Sequence, residues 1–248
     1  MFTGPNIIQD AVALHLDPGN SKSYPGTGTT IFDLSGNGRN STSTGATLDA
    51  NGNLVFEGQG ERDGSPLGDY ISLDTNATTT SPSGKPDGVT YNVWMVFDAN
   101  QAQGHGIFVG SGTINHIEWR GTVTGGYWRT EARLQNGYSF GGGNGSPYGY
   151  HTLGEWFNLS IVFANDEVDR PVRWYMNGEL FHTNDMTGGN SPTTEYFIPS
   201  RFGSATGSSS YLYAQSFYGR LGNLTVYDRT LTAKEVKQNY NAFKSRFV

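Results

Sequence analysis

Asp33, Ser35, Asn37 and Gly38, in the stretch FDLSGNGRNSTST, fall on positions 1, 3, 5 and 6 of a calcium loop of the EF-hand type. Such a loop closes on a bidentate Glu at position 12 and sits between two helices. Position 12 here is Thr44 and no helical pattern flanks the loop, so the ligand set is incomplete. The alternative is a turn in which Asp33 and Asn37 bond local backbone while Gly36 and Gly38 supply positive φ. A calcium ion assembled instead from separate loops would draw on Asp17, Asp33 and Asp228. The Gly-rich runs GTGTT and SGNG open no helix and precede no Lys, which excludes a phosphate cradle. No G-x-S-x-G elbow is present, and His15, His105, His116, His151 and His182 show no zinc spacing.

The segment HIEWRGTVTGGYWRTEARLQNGYSF offers a different chemistry. It supplies Trp119, Tyr127, Trp128 and Tyr138 beside Glu118, Arg120, Arg129 and Gln135. Flat aromatic rings beside amides and charged groups suit a pyranose, whose apolar face stacks while its hydroxyls hydrogen-bond. Core aromatics or a protein–protein interface would use the same residues. Glu118 and Glu131 could pair across neighbouring strands, or meet Arg120, Arg129 or Arg133 on a polar face.

The elements that must position these residues are mostly strands. AVALHLD alternates Val12, Leu14 and Leu16 against Ala13 and His15. VTYNVWMVFDA carries Tyr91, Val93, Met95 and Phe97 on one face and Trp94 and Val96 on the other, predicting a strand covered on both sides. WFNLSIVFAND sets Phe157, Leu159, Ile161 and Phe163 on one face. PVRWYMNGELFHT places Asn177-Gly178 between apolar arms, the signature of a type I′ hairpin. RLGNLTVYD turns Leu224 and Val226 inward. One helix follows: Thr232 and Glu235 form a capping box, Leu231 and Val236 a staple, and Val236, Tyr240, Phe243 and Phe247 a stripe.

The 248 residues carry a net charge of −6, 15% charged residues, 35 Gly and no Cys. Without a Lys/Arg run, nucleic acid is not an expected partner. No signal peptide and no membrane span is visible, and the lack of Cys is compatible with a reducing cytoplasm. Sequons start at Asn40, Asn76, Asn158 and Asn223, the last two inside strand-like runs where a glycan would not fit. No linker divides the chain, so residues 1–248 are expected to form one domain, an antiparallel two-sheet jelly-roll β-sandwich with a short C-terminal helix.

Three segments resemble the concanavalin A-like, laminin-G-like jelly-roll family: WFNLSIVFAND…VRWYMNGELFHT, FYGRLGNLTVYDRTLTAKEV and the opening LHLDPGNSKSYPGTGTTIFDLSGNGRNS. The opening, read with the closing QNYNAFKSRF, is similar to a narrower group found in tailed-bacteriophage structural proteins. Ile31 replaces that group's usual aromatic, and Asn223 stands where the wider family is often acidic. The fold also hosts laminarinase-like enzymes with an E-x-D-x-x-E strand. EVDRPV offers Glu167 and Asp169 but has Val172 in third place, and it reads as a solvated turn. The resemblance therefore implies a non-enzymatic virion protein without a required cofactor. It would be made in the host cytoplasm and exposed on the particle as a decoration, head-fibre or tail-associated protein. Its expected partners are other virion proteins, met as a symmetric oligomer, and cell-surface glycans, with no membrane insertion. A stand-alone lectin-like adhesion module is the alternative. The chain, running from Met1 to just past KSRF, reads as a stand-alone module.

Overall fold

A computed structural model describes residues 6–57, 68–74, 88–98, 105–110, 116–121, 128–134, 138–140, 152–164, 171–184, 199–203 and 217–248. Within 116–140, and at 105, 106, 109, 110, 184 and 199, the description is of the backbone alone. In chain order the elements are β1 (Val12–Leu16), β2 (Thr30–Ile31), β3 (Ser41–Thr44), β4 (Thr47–Leu48), β5 (Leu54–Glu57), β6 (Tyr70–Ser72), β7 (Val89–Phe97), β8 (His105–Gly110), β9 (His116–Gly121), β10 (Trp128–Leu134), β11 (Tyr138–Phe140), β12 (Phe157–Phe163), β13 (Val172–Met176), β14 (Glu179–Asn184), β15 (Pro199–Phe202), β16 (Tyr218–Tyr227) and helix α1 (Ala233–Phe247).

They build the expected sandwich of two antiparallel sheets. One runs β14-β13-β12-β7-β16-β5-β4, with β1 pairing the far end of β16; the other runs β11-β10-β9-β8-β15-β6-β3-β2. The inner face of β7 puts Tyr91, Val93, Met95 and Phe97 into a core shared with Leu159, Ile161, Leu224 and Val226. From the opposite sheet come Ile71, Ile107, Phe108 and Phe202. Edge-to-face rings lock the layers, with Phe56 and Phe202 each 5.2 Å from Phe217 and Phe108 5.6 Å from Phe202. That geometry sets ring edges on ring faces and adds to the area term.

The outer face of β7 is covered as predicted, and α1 is the cover. Trp94 stacks on Tyr240 (5.4 Å, 12°) and Phe247 (4.8 Å, 23°). Around it the covered face is unexpectedly polar. The register sets Asn92 opposite Ser160 and Thr225, and Trp94 opposite Asn158 and Asn223. All of these polar residues are buried. Asn92 Nδ2 donates to Ser160 Oγ at 2.6 Å, and Asn158 Nδ2 donates to Asn92 Oδ1 at 3.2 Å. Burial of Asn158 and Asn223 leaves no room for a glycan at either sequon, as the strand reading implied.

The hairpin β13–β14 turns on Asn177 (φ 53°) and Gly178 (φ 77°), as a type I′ turn requires. Gly178 has a second role. A Cβ there would run into Lys237 and Tyr240, so the missing side chain also lets α1 approach the turn. Lys237 Nζ bonds Glu179 across this contact.

The capping box of α1 forms as read. Thr232 Oγ1 accepts from Glu235 N at 3.3 Å, and Thr232 N donates to Glu235 Oε2 at 2.8 Å. Arg229 adds a bidentate pair on the same carboxylate at 2.6 and 3.1 Å. The guanidinium, then the cap donors, hold the Glu235 carboxyl down to about 2 from its ordinary 4.5. A carboxyl depressed on folding stabilises above its unfolded value and loses that contribution as pH falls towards its folded one. Between about pH 4.5 and 2, wild type should therefore lose roughly 1 kcal/mol at this site, after solvent screening is allowed for. Glu235→Gln should lack that share of the acid loss, which urea midpoints at pH 7 and pH 3 for both proteins would check.

Candidate functional site

The backbone brings six of the eight aromatic-cluster candidates onto three adjacent strands. Glu118, Trp119 and Arg120 lie on β9, Trp128 and Arg129 on β10, and Tyr138 on β11, at one edge of the second sheet. The ladder sets Arg120 opposite Arg129 and Glu118 opposite Glu131, with Leu134 opposite Tyr138. The acidic pair is thus in cross-strand register. Tyr127 and Gln135 lie outside the described residues, as do Asn76, His151, Glu167 and Asp169. Further along the same sheet, Arg201 on β15 lies over the ring of Tyr70 on β6, 4.0 Å from its centroid. Both residues of this cation–π contact are half-buried, and neither stood out in the sequence.

Two of the three aspartates proposed for calcium, Asp33 and Asp17, are occupied otherwise. Asp33 Oδ1 accepts from His15 N (3.0 Å) and Ser35 N (2.9 Å); Oδ2 accepts from Ser35 Oγ (2.6 Å) and Arg39 N (3.1 Å). Gly36 and Gly38 take φ of 90° and 72°. The loop is therefore the Asx-rich turn, and its second job is to tie β1 to the segment after β2. Asp17 accepts from Arg246 Nη1 at 2.6 Å. Asp228 has a buried, unpaired Oδ1, and burial raises its carboxyl despite the opposing Arg39. Among the described residues no group of three His, Cys, Asp or Glu is placed to hold a metal ion.

Asp17 and Arg246 mark a constellation that the sequence did not single out. A cleft of about 680 Å³ opens between β1, the loop after it and the last turns of α1, lined among others by His15, Asp17, Asn20, Ser21, Phe243 and Arg246. β1 places His15 beside Thr225, whose Oγ1 lies 2.8 Å from Nδ1. Phe243 stacks on the imidazole at 6.2 Å and 22°. Burial, more than the opposing carboxylates of Asp17 and Asp33, lowers the His15 pKa, and Arg246 adds to the lowering. Burial thus favours the neutral imidazole. Gly19 makes room for the guanidinium, since a Cβ there would run into Arg246. Thus the opening LDPGN and the closing KSRF, 229 residues apart at Asp17 and Arg246, form one structure. The signal was present as two motifs at opposite ends; what linked them is the fold.

Comparison with known proteins agrees with this architecture. No curated protein matches the sequence. Solved structures match in fold at low identity. A Trypanosoma rangeli sialidase mutant displaying trans-sialidase activity gives a TM-score of 0.63 at 14% identity, covering 99% of this chain and 35% of the sialidase. The chain thus spans about a third of the length of the sialidases it matches. Domain 4 of AbnA, a GH43 extracellular arabinanase from Geobacillus stearothermophilus, in complex with arabinotriose, gives 0.61 at 15% identity, covering 92% of this chain and 98% of that one. The binding domain of botulinum neurotoxin DC, in complex with rat synaptotagmin II, gives 0.61 at 12% identity, covering 95% and 52%. The Laminin_G_3 family model matches residues 63–237, spanning strands of both sheets and the start of α1, and by that match the chain belongs to the concanavalin A-like lectin/glucanases superfamily.

Proposed function

We propose that this chain is a non-enzymatic structural protein of a tailed-bacteriophage particle, exposed on its surface and holding host-surface glycans through its lectin-type sandwich. The observation that carries the reading is the meeting of the two end motifs. LDPGN…DLSGNG and QNYNAFKSRF, which resemble phage structural domains, are joined through Asp17–Arg246 and His15–Phe243. The glycan part draws support from the arabinotriose-bound arabinanase domain, matched over 98% of its length. The non-enzymatic part draws support from four of the described carboxylates, Asp17, Asp98, Glu179 and Glu235, each of which sits in an ion pair with a basic residue. Retaining hydrolysis needs two carboxylates facing each other across a substrate. On the particle the protein would dock as a symmetric oligomer on a symmetric partner.

The chain should be found in stoichiometric amount in purified particles, and a glycan array should give binding without release of reducing sugar. Absence from particles would leave a stand-alone lectin-like adhesion module. Hydrolysis of β-glucans or of sialosides, with the β-glucan activity abolished by Glu167→Gln, would overturn the non-enzymatic reading.

A further inference from the structure

We propose that the cleft between the opening loop and the C-terminal helix binds a neutral saccharide, at a site separate from β9–β11. The inference shares with the proposed function only the expectation that the protein binds sugar; the place and the charge of the ligand come from the cleft itself.

The volume of about 680 Å³ lies within the range of ligand pockets and admits a short oligosaccharide. The charge of the wall decides the class. Asp17 and Arg246 neutralise each other at 2.6 Å. Burial favours the neutral form of His15. An anion entering the cleft meets the carboxylate, and a cation meets the guanidinium; neither gains a net counter-charge for its desolvation. A neutral, hydroxyl-rich ligand has no such conflict. Asn20 and the exposed Ser21 offer an amide and a hydroxyl at the rim, and Phe243 offers a ring. That mixture fits a sugar, which presents hydroxyls at its edge and C–H groups on its face.

The imidazole is a second, independent pointer. His15 is only 8% exposed and lines the cleft, and its Nδ1 is held by Thr225 Oγ1. Beside it Arg246 Nη2 is buried without a hydrogen-bond partner, a costly state that a ligand hydroxyl in the cleft would relieve. With Thr225 fixing Nδ1 of His15, its Nε2 is a preset hydrogen-bond group for a ligand hydroxyl.

The test uses the full chain and a named panel: arabinotriose, maltotriose, cellotriose and chitotriose as neutral probes, 3′-sialyllactose as the charged one. Calorimetry should detect at least one neutral trisaccharide. Ser21→Trp, which fills the cleft from an exposed position, should weaken that binding by about ten-fold or more, while Lys234→Ala, at an exposed helix position outside the cleft, leaves it unchanged. In a long-range ¹H–¹⁵N spectrum the His15 Nε2 signal should move on addition of that trisaccharide to wild type. If binding survives Ser21→Trp and the His15 signal stays still, the cleft is not the site, although the glycan-binding reading stands. If sialyllactose alone binds, the charge argument and this inference fall together. If no saccharide binds here or on an array, both this inference and the glycan-binding reading are overturned.

Discussion

Trp94→Ala should cost about 4 kcal/mol, the scale of emptying a fully buried aromatic site. Trp94 is 0% exposed and lies on the outer face of β7, against Tyr240 and Phe247 of α1. Phe247 in turn packs on Trp156 at 4.6 Å. The deletion removes the largest apolar body between the sheet and the helix, and the polar residues beside it cannot refill the gap. Asn92, Asn158 and Ser160 are bonded to one another, and moving them would break those bonds. In a chain of this size the loss corresponds to a fall in Tm of roughly 10 °C. Hydrogen exchange separates the global from the local effect: amides of α1 should exchange faster than those of β12 in the variant. Trp94→Phe, which keeps a ring in the stack, should retain about half the stability lost. A loss under about 1 kcal/mol for Trp94→Ala would mean that the helix is held by something other than this stack.

Much of this was legible because it is local. Alternation in VTYNVWMVF told that β7 is covered on both faces, the Thr232–Glu235 spacing told the start of α1, and Asn177-Gly178 told the hairpin. Glu118 and Glu131 read as able to pair across neighbouring strands, and the ladder sets them opposite each other. Three things were not legible, each for a physical reason. Alternation in FNLSIVF shows Asn158 and Ser160 on the face opposite the core, but it cannot show that a helix 70 residues later buries that face. Gly178 declares itself as a turn residue, while its contact with Lys237 and Tyr240 depends on where the helix comes to rest. Asp17 carries the same letter whether it binds a cation or an arginine. Only the packing of the two chain ends made it the acceptor for Arg246. The candidate site shows the same division: β9–β11 followed from pattern, whereas the His15 cleft needed two distant motifs to be brought together.

Arg246→Ala should cost about 3 kcal/mol, because it strands a buried carboxylate. The Asp17 side chain is 10% exposed and that of Arg246 18%, so the pair is shielded from water and little screened by salt. The wild-type pair need not add much over a well-packed apolar pair; the cost lies in removing one member and leaving the other charged. Two comparisons isolate that origin. Asp17→Asn combined with Arg246→Ala should cost less than the sum of the two single changes, since the double variant has no orphaned charge. Arg246→Lys should recover only part of the loss, because an ammonium cannot spread over Gly19 as the planar guanidinium does. His15 supplies a readout that a mere packing defect would not move. In wild type the Arg246 charge lowers the His15 pKa while Asp17 raises it. Taking away the guanidinium leaves the carboxylate unopposed, so His15 should titrate at a higher pH in Arg246→Ala than in wild type. In Asp17→Asn it should titrate lower, and the two shifts of opposite sign, followed by NMR, would tie both chain ends to the one imidazole between them.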